Sequence, residues 1–170
     1  MQVQDLCTTE TRCCSPATSL AAAGCMMYEG DCGALPVVDE GGRLVGIITD
    51  RDICMAAATK HRLASEIEVR EVINEMVTSC RMDEEVSEAL EKMRARQVRR
   101  LPVIDAEGRL RGLLSLSDVV LAARPETTLK PGCVTYAEVI GTLDAVCRPR
   151  NSKVRKSAKA SQRILRAAPQ

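Results

Sequence analysis

The sequence predicts an α/β chain of the α+β kind, built from two copies of one small unit. Three observations carry this. Shifted by 66 residues, "LPVVDEGGRLVGIITDRDI" (35–53) falls without a gap on "LPVIDAEGRLRGLLSLSDV" (101–119), with nine of nineteen positions identical. Each copy runs from a helical apolar pattern into two short apolar runs split by an Asp/Gly turn, then into a second helix start. The 170 residues have room for one ordinary domain or two small repeats packed as one.

The register extends backward, placing Ala23 on Ala89, Met27 on Met93 and "VQDLC" (3–7) on "VREVI" (69–73). The first element of each copy is a helix, near 18–29 and 83–96. In the first, Leu20, Ala23, Gly24 and Met27 share a face. In the second, Val86, Ala89, Leu90 and Met93 do so, and Asp83 is placed to cap it. "PVV" and "PVI" follow as strands, since Pro is tolerated at a strand's first residue. "DEGG" and "DAEG" are turns, and "RLVGIIT" and "RLRGLLS" complete two hairpins. Closing helices begin at Thr49 and Ser115. Residues Thr59 to Glu68 form a polar linker. "CVTYAEVIGTLDAVC" (133–147) is a terminal helix able to pack Val134, Val139, Ile140, Leu143 and Val146 on the body. The division is 1–60 and 69–124 for the units, 61–68 for the linker, 125–147 for the terminal helix region and 148–170 for a basic tail.

Composition narrows the function classes. Hydrophobic residues make up 45% of the chain, yet Phe and Trp are missing and Tyr28 and Tyr136 are its aromatics. A nucleic-acid or nucleotide site built on aromatic stacking is therefore not expected on the folded body. The net charge of +1 conceals an acidic body and a tail that carries eight basic and no acidic residues from Arg148 onward. That tail is read as disordered, or as a helix without its own core. The start "MQVQDLCTTE" does not read as a signal peptide and the apolar run Leu20–Tyr28 is too short to span a bilayer, so a cytoplasmic protein without a membrane partner is expected. The nine cysteines (7, 13, 14, 25, 32, 54, 80, 133 and 147) lack a CxxC spacing and are read as small core fillers, Cys25, Cys54 and Cys32 among them. No metal site is expected.

Thr49-x-x-Asp52 and Ser115-x-x-Asp118 each precede a helical run. One reading is a capping box: the hydroxyl accepts from an amide three residues on, and the acid sits at the positive end of the helix dipole. The other is a ligand site, since a helix N-terminus favours phosphate and Arg51 adds a positive charge. The two are compatible. In the second copy Ser117 stands where Arg51 does in the first. Catalysis has little support. The lone His61 lies between Lys60 and Arg62 in the linker, Asp50 and Asp52 are too close in sequence to act as an acid–base pair, and "DEGGRL" is no phosphate loop. No catalytic residue is assigned, and a binder rather than an enzyme is expected.

The doubled pattern of a helix, LPVhD, a Gly-containing turn, RLhGhh[TS]xxD and a helix resembles the CBS domain pair, or Bateman module, over about Val3 to Arg124. The resemblance implies a free-standing regulatory module of two β-α-β-β-α units packed with pseudo-twofold symmetry. It implies clefts that bind adenosine-containing ligands: AMP, ADP, ATP, S-adenosylmethionine or NAD, with no cofactor required. By the same resemblance Asp52 and Asp118 would take the ribose hydroxyls, with Thr49 and Ser115 beside them. Adenine would lie against Cys32, Gly33 and Ala34 or against Val98, Arg99 and Arg100. Each cleft would mix copies, Asp52 with 98–100 and Asp118 with 32–34; the first of these, with Arg51, Arg99 and Arg100 near the phosphates, is the better site. It also implies a homodimer and a regulated partner in trans. Two other readings are carried: a nucleic-acid-associated protein acting through the tail, and a redox or metal sensor using Cys7, Cys13 and Cys14.

Overall fold

The structure, a computed structural model, describes residues 1–73, 77–125 and 133–149. The expected tail from Arg150 onward lies outside the described residues. The first unit holds α1 (Leu20–Glu29), β1 (Ala34–Val38), β2 (Leu44–Thr49) and α2 (Asp50–Thr59). The second holds β3 (Cys80–Arg81), α3 (Val86–Arg96), β4 (Arg100–Ile104), β5 (Leu110–Ser115) and α4 (Leu116–Ala122), and α5 (Tyr136–Cys147) follows.

The repeat is reproduced in the two hairpins. β1 pairs antiparallel with β2, and β4 with β5, in equivalent registers and with an irregularity at the same point. In the second unit β3 runs parallel to β4, with Cys80 opposite Val103. In the first, that opening strand shrinks to one parallel bridge, Cys14 opposite Val37, at the equivalent positions. Gly42 and Gly108 close the hairpins with φ of +74° and +79°, which glycine adopts without steric cost. There the hairpins meet. Leu44 N donates to Gly108 O and Leu110 N to Gly42 O, each at 3.0 Å. Such a reciprocal pair is what a local twofold between the units produces.

Two apolar cores result, and the chain crosses between them. One gathers Leu20, Ala23, Met27, Leu35, Val37 and Ile48 with Ile67 and Val69. The other gathers Val86, Ala89, Leu90, Met93, Leu101, Val103 and Leu114 with Val3. The opening segment of the first copy thus packs in the second unit's core, and its counterpart at 69–73 packs in the first. Thr8 and Leu113 exchange both backbone bonds (3.0 and 2.9 Å) to hold the crossing in place. Ile67, within the segment read as a polar linker, is fully buried, and its carbonyl accepts from Leu20 N.

Three sequence readings need correction. Asp83 does not cap α3: the N-cap is Glu85, and the Asp83 carboxylate is taken by Arg81 Nε at 3.0 Å. Cys25 and Cys54 are exposed, not core fillers; both lie on the outward side of their helices, whereas Cys14 and Cys80 are buried. On α5, Ile140 and Leu143 point outward while Val139 and Thr142 are buried. Thr142 tolerates burial because its hydroxyl donates to Glu138 O (2.8 Å) and accepts from Arg94 Nε (2.8 Å).

Candidate functional site

Each strand-to-helix junction builds the same device. At the first, Thr49 N and Thr49 Oγ1 both donate to Asp52 Oδ2, at 3.0 and 2.6 Å, and Asp52 N donates back to Thr49 Oγ1 at 3.3 Å. At the second, Ser115 N and Oγ donate to Asp118 Oδ2 at 2.7 and 2.8 Å, and Asp118 N returns to Ser115 Oγ at 3.3 Å. The capping box is therefore complete in both copies. All these bonds to the carboxylates fall on Oδ2. Among the described residues, Oδ1 of both Asp52 and Asp118 takes no hydrogen bond. Both acids are half-buried. A fixed, part-exposed carboxylate with one oxygen to spare is equipped to accept from two neighbouring hydroxyls.

The segments before LPV lie against these junctions. β pairing sets Ala34 opposite Thr49 and Arg100 opposite Ser115. Asp50 N donates to Gly33 O at 3.3 Å, and Leu116 N to Arg99 O at 2.9 Å. Cys32 and Gly33 are half-buried and Ala34 is buried; Val98 and Arg100 are half-buried and Arg99 is exposed, as is Arg51. One contact joins the units here. A Cβ added to Gly33 would lie 2.9 Å from Asp50 Oδ2 and 3.9 Å from Arg100 Nη2, so Arg100 of the second copy reaches the first copy's junction.

Two residues lie beside the junctions where the sequence reading did not place them. Ile73 covers Gly46 on β2, and Cys7 lies at 3.5 Å from the Cβ position of Gly112 on β5. Burial pushes the Cys7 thiol pKa up against a lowering backbone hydrogen bond, and the Asp118 charge adds to the rise. The repeat register aligned 7 with 73, but no pattern told that each would serve the other copy's junction.

A cleft of about 590 Å³ opens between α1 and α2 of the first unit, floored by Met27 and Ile53 and rimmed by Cys32, Gly33 and Asp50. His61 is exposed. Among the described residues no group of three or more His, Cys, Asp or Glu is placed to hold a metal, and no helix is long and apolar enough to cross a membrane.

A family model described as CBS domain matches residues 3–59 and again 69–125. An uncharacterized 17.7 kDa protein from the bps2 3' region of Acidianus ambivalens is 33% identical over 131 residues, 77% of this chain and 78% of that protein. Among solved structures, the CBS domain pair of protein MJ0100 in complex with 5'-methylthioadenosine and S-adenosylmethionine superposes with a TM-score of 0.65. It is 27% identical, over 71% of this chain and 94% of that one. CBSX2 in complex with AMP gives a TM-score of 0.63 at 26% identity, over 71% and 94%.

Proposed function

This chain belongs to the CBS domain family, and we propose that it is a regulatory module that binds an adenosine-containing ligand at its two strand-to-helix junctions. The spare Oδ1 of Asp52 and of Asp118 is the observation that carries this reading. The capping box has already fixed each carboxylate, so accepting a ribose diol costs little further ordering. Backbone at Cys32–Ala34 and Val98–Arg100 offers edges for adenine. Arg51, Arg99 and Arg100 offer positive charge for phosphate, or for the carboxylate of S-adenosylmethionine. The first junction is the stronger site, because Arg51 has Ser117 as its counterpart and Arg100 leans toward Gly33 and Asp50.

The module acts as a binder and not as an enzyme, in the cytoplasm, and signals to a partner protein in trans. The two units are joined by reciprocal bonds between their hairpins and by crossed segments. In this reading a ligand that favours one packing of the units shifts their arrangement, and the partner reads the shift.

The test is calorimetric titration of the full chain with AMP, ADP, ATP, S-adenosylmethionine and NAD, with Asp52→Ala and Asp118→Ala in parallel. Removing a carboxylate that accepts two hydroxyls is expected to weaken binding by about 10- to 100-fold. A folded wild type that binds none of the five would leave both motifs as helix caps alone.

A further inference from the structure

The two junctions differ in the charges set around them. Shifted by 66 residues, Leu116 stands where Asp50 does, and Ala34 stands where Arg100 does. At the first junction, the atoms nearest to the bare side of Gly33 are therefore of opposite sign and come from different copies. A Cβ on Gly33 would lie 2.9 Å from Asp50 Oδ2 and 3.9 Å from Arg100 Nη2. The two equivalent positions, Leu116 and Ala34, are apolar and buried.

Both charges are unmet. Among the described residues, the half-buried Arg100 guanidinium takes part in no hydrogen bond or ion pair. A half-buried cation without a partner calls for an anion. Asp50 accepts one bond at Oδ1, from Arg51 N at 2.7 Å, and among the described residues none at Oδ2, the atom that faces Gly33. No salt bridge joins Asp50 to Arg100. The missing side chain of Gly33 thus leaves a slot with a carboxylate on one wall and a guanidinium on the other. Gly33 has no positive φ, so it is room rather than backbone freedom that glycine supplies here.

We propose that Asp50 and Arg100 select the ligand of the first site by the charge of its 5′ group, favouring a zwitterionic amino-acid tail over a phosphate. The proposal rests on the reading of Asp52 as the ribose acceptor. Asp50 is two residues from Asp52, and Arg100 belongs to the 98–100 edge of the same cleft, so the slot lies beside the place of the sugar. An α-amino acid carries its ammonium and its carboxylate on one carbon. In the slot, the carboxylate accepts from Arg100 and the ammonium donates to Asp50 Oδ2, which meets both protein charges. A phosphate, with a charge of about −2, meets Arg100 alone and is set against the Asp50 carboxylate. Such a like-charge approach is a means of rejecting one ligand in favour of another. Arg51 and Arg99 add positive charge to the mouth of the cleft, but both are exposed, where solvent and salt weaken their pull. Asp31 lines the same cleft as Asp50 and adds to its negative side.

The experiment is calorimetric titration of the full chain with adenosine, AMP and S-adenosylhomocysteine, whose tail is zwitterionic and whose sulfur is uncharged. Asp118→Ala is the background, so that the first site dominates. S-adenosylhomocysteine is expected to bind about tenfold tighter than AMP. Asp50→Asn should weaken S-adenosylhomocysteine about tenfold and tighten AMP about threefold, so that the two ligands move in opposite directions. Gly33→Ala puts a methyl group into the slot and should erase the preference by a second route, which decides the matter if Asp50→Asn misfolds. AMP binding tighter than S-adenosylhomocysteine before Asp50 is changed would overturn the proposal. Equal shifts for the two ligands in Asp50→Asn, or none, would overturn it while leaving the ribose reading in place. So would a loss of stability in Asp50→Asn with the affinity ratio unchanged, which would make the pair a fastening between the units. Failure of all three ligands to bind the folded chain would remove the ribose reading itself, and this proposal with it.

Discussion

Arg94 Nε donates to the buried Thr142 hydroxyl at 2.8 Å, and Nη2 of the same guanidinium reaches the Glu138 carbonyl at 2.9 Å. One side chain thus fastens α5 to the second unit, and among the described residues its counterpart Tyr28 fastens nothing of the kind on the first. Arg94→Ala should cost about 1–3 kcal/mol, the range for losing bonds to a charged donor. Amide exchange over Tyr136–Cys147 should accelerate far more than over β4 and β5. Uniform acceleration across the second unit would refute the idea that α5 is a separately fastened element.

The capping boxes carry stability whether or not a ligand binds. Thr49→Ala and Ser115→Ala should each lower the free energy of unfolding by about 1 kcal/mol in urea titrations. Val in place of Thr49 keeps the volume and loses the hydroxyl, and it should cost the same or more. A neutral result at both junctions would mean the helices are held by packing alone.

Gly46 and Gly112 occupy equivalent positions but face different neighbours. A Cβ at Gly112 would meet the Thr8 carbonyl at 2.6 Å, within the backbone pair that holds the crossed N-terminal segment. At Gly46 it would meet the Ile73 Cδ1 at 2.7 Å, the end of a flexible side chain. Gly112→Ala should therefore destabilise by about 1–3 kcal/mol and loosen residues 1–8, with Gly46→Ala the milder change. Equal effects would show that the crossed segment gives way as readily as a rotamer.

The buried thiols set an alkaline limit. Burial raises Cys14 from 9.0 to about 11, with the neighbouring Cys13 adding to it, and raises Cys80 from 9.0 to about 12, with Glu84 adding to it. In the unfolded chain these thiols ionise at the ordinary value, so their contribution is complete below pH 9. It is lost as pH rises through 11 to 12, on the order of 1–2 kcal/mol each. Unfolding midpoints of the wild type should thus fall more steeply above pH 9 than those of Cys14→Ala/Cys80→Ala. Parallel slopes would remove the thiols from the account.

Thiol accessibility gives an independent check on the corrected cysteine reading. Cys25, Cys54 and Cys147 should alkylate rapidly in the native state, and Cys14 and Cys80 only on unfolding. Fast labelling of Cys80 would contradict its place in the second core.

Much of this protein was legible because its information is local and doubled. The 66-residue shift, the period of the helix faces and the [TS]xxD spacing placed two hairpins, four helices and both capping boxes. Val86, Ala89, Leu90 and Met93 are all buried as read. Misreadings arose where a side chain had a choice of partner. Asp83 could cap a helix or pair with Arg81, and only the turn geometry chose Arg81. Cys25 and Cys54 have the size of a core residue, and size does not say which side of a helix faces out.

By itself the sequence determined the two units, their registers and the identity of the groups at each junction, since these depend on spacing along the chain. Tertiary structure alone decided that Val3–Thr8 and Val69–Ile73 trade places between the cores, that Arg100 leans on the other copy's junction, and that α5 covers one helical face while no described element covers its twin. Equivalent segments carry the same local preferences. Which core each one fills depends on contacts between residues far apart in sequence, and no periodic pattern records those.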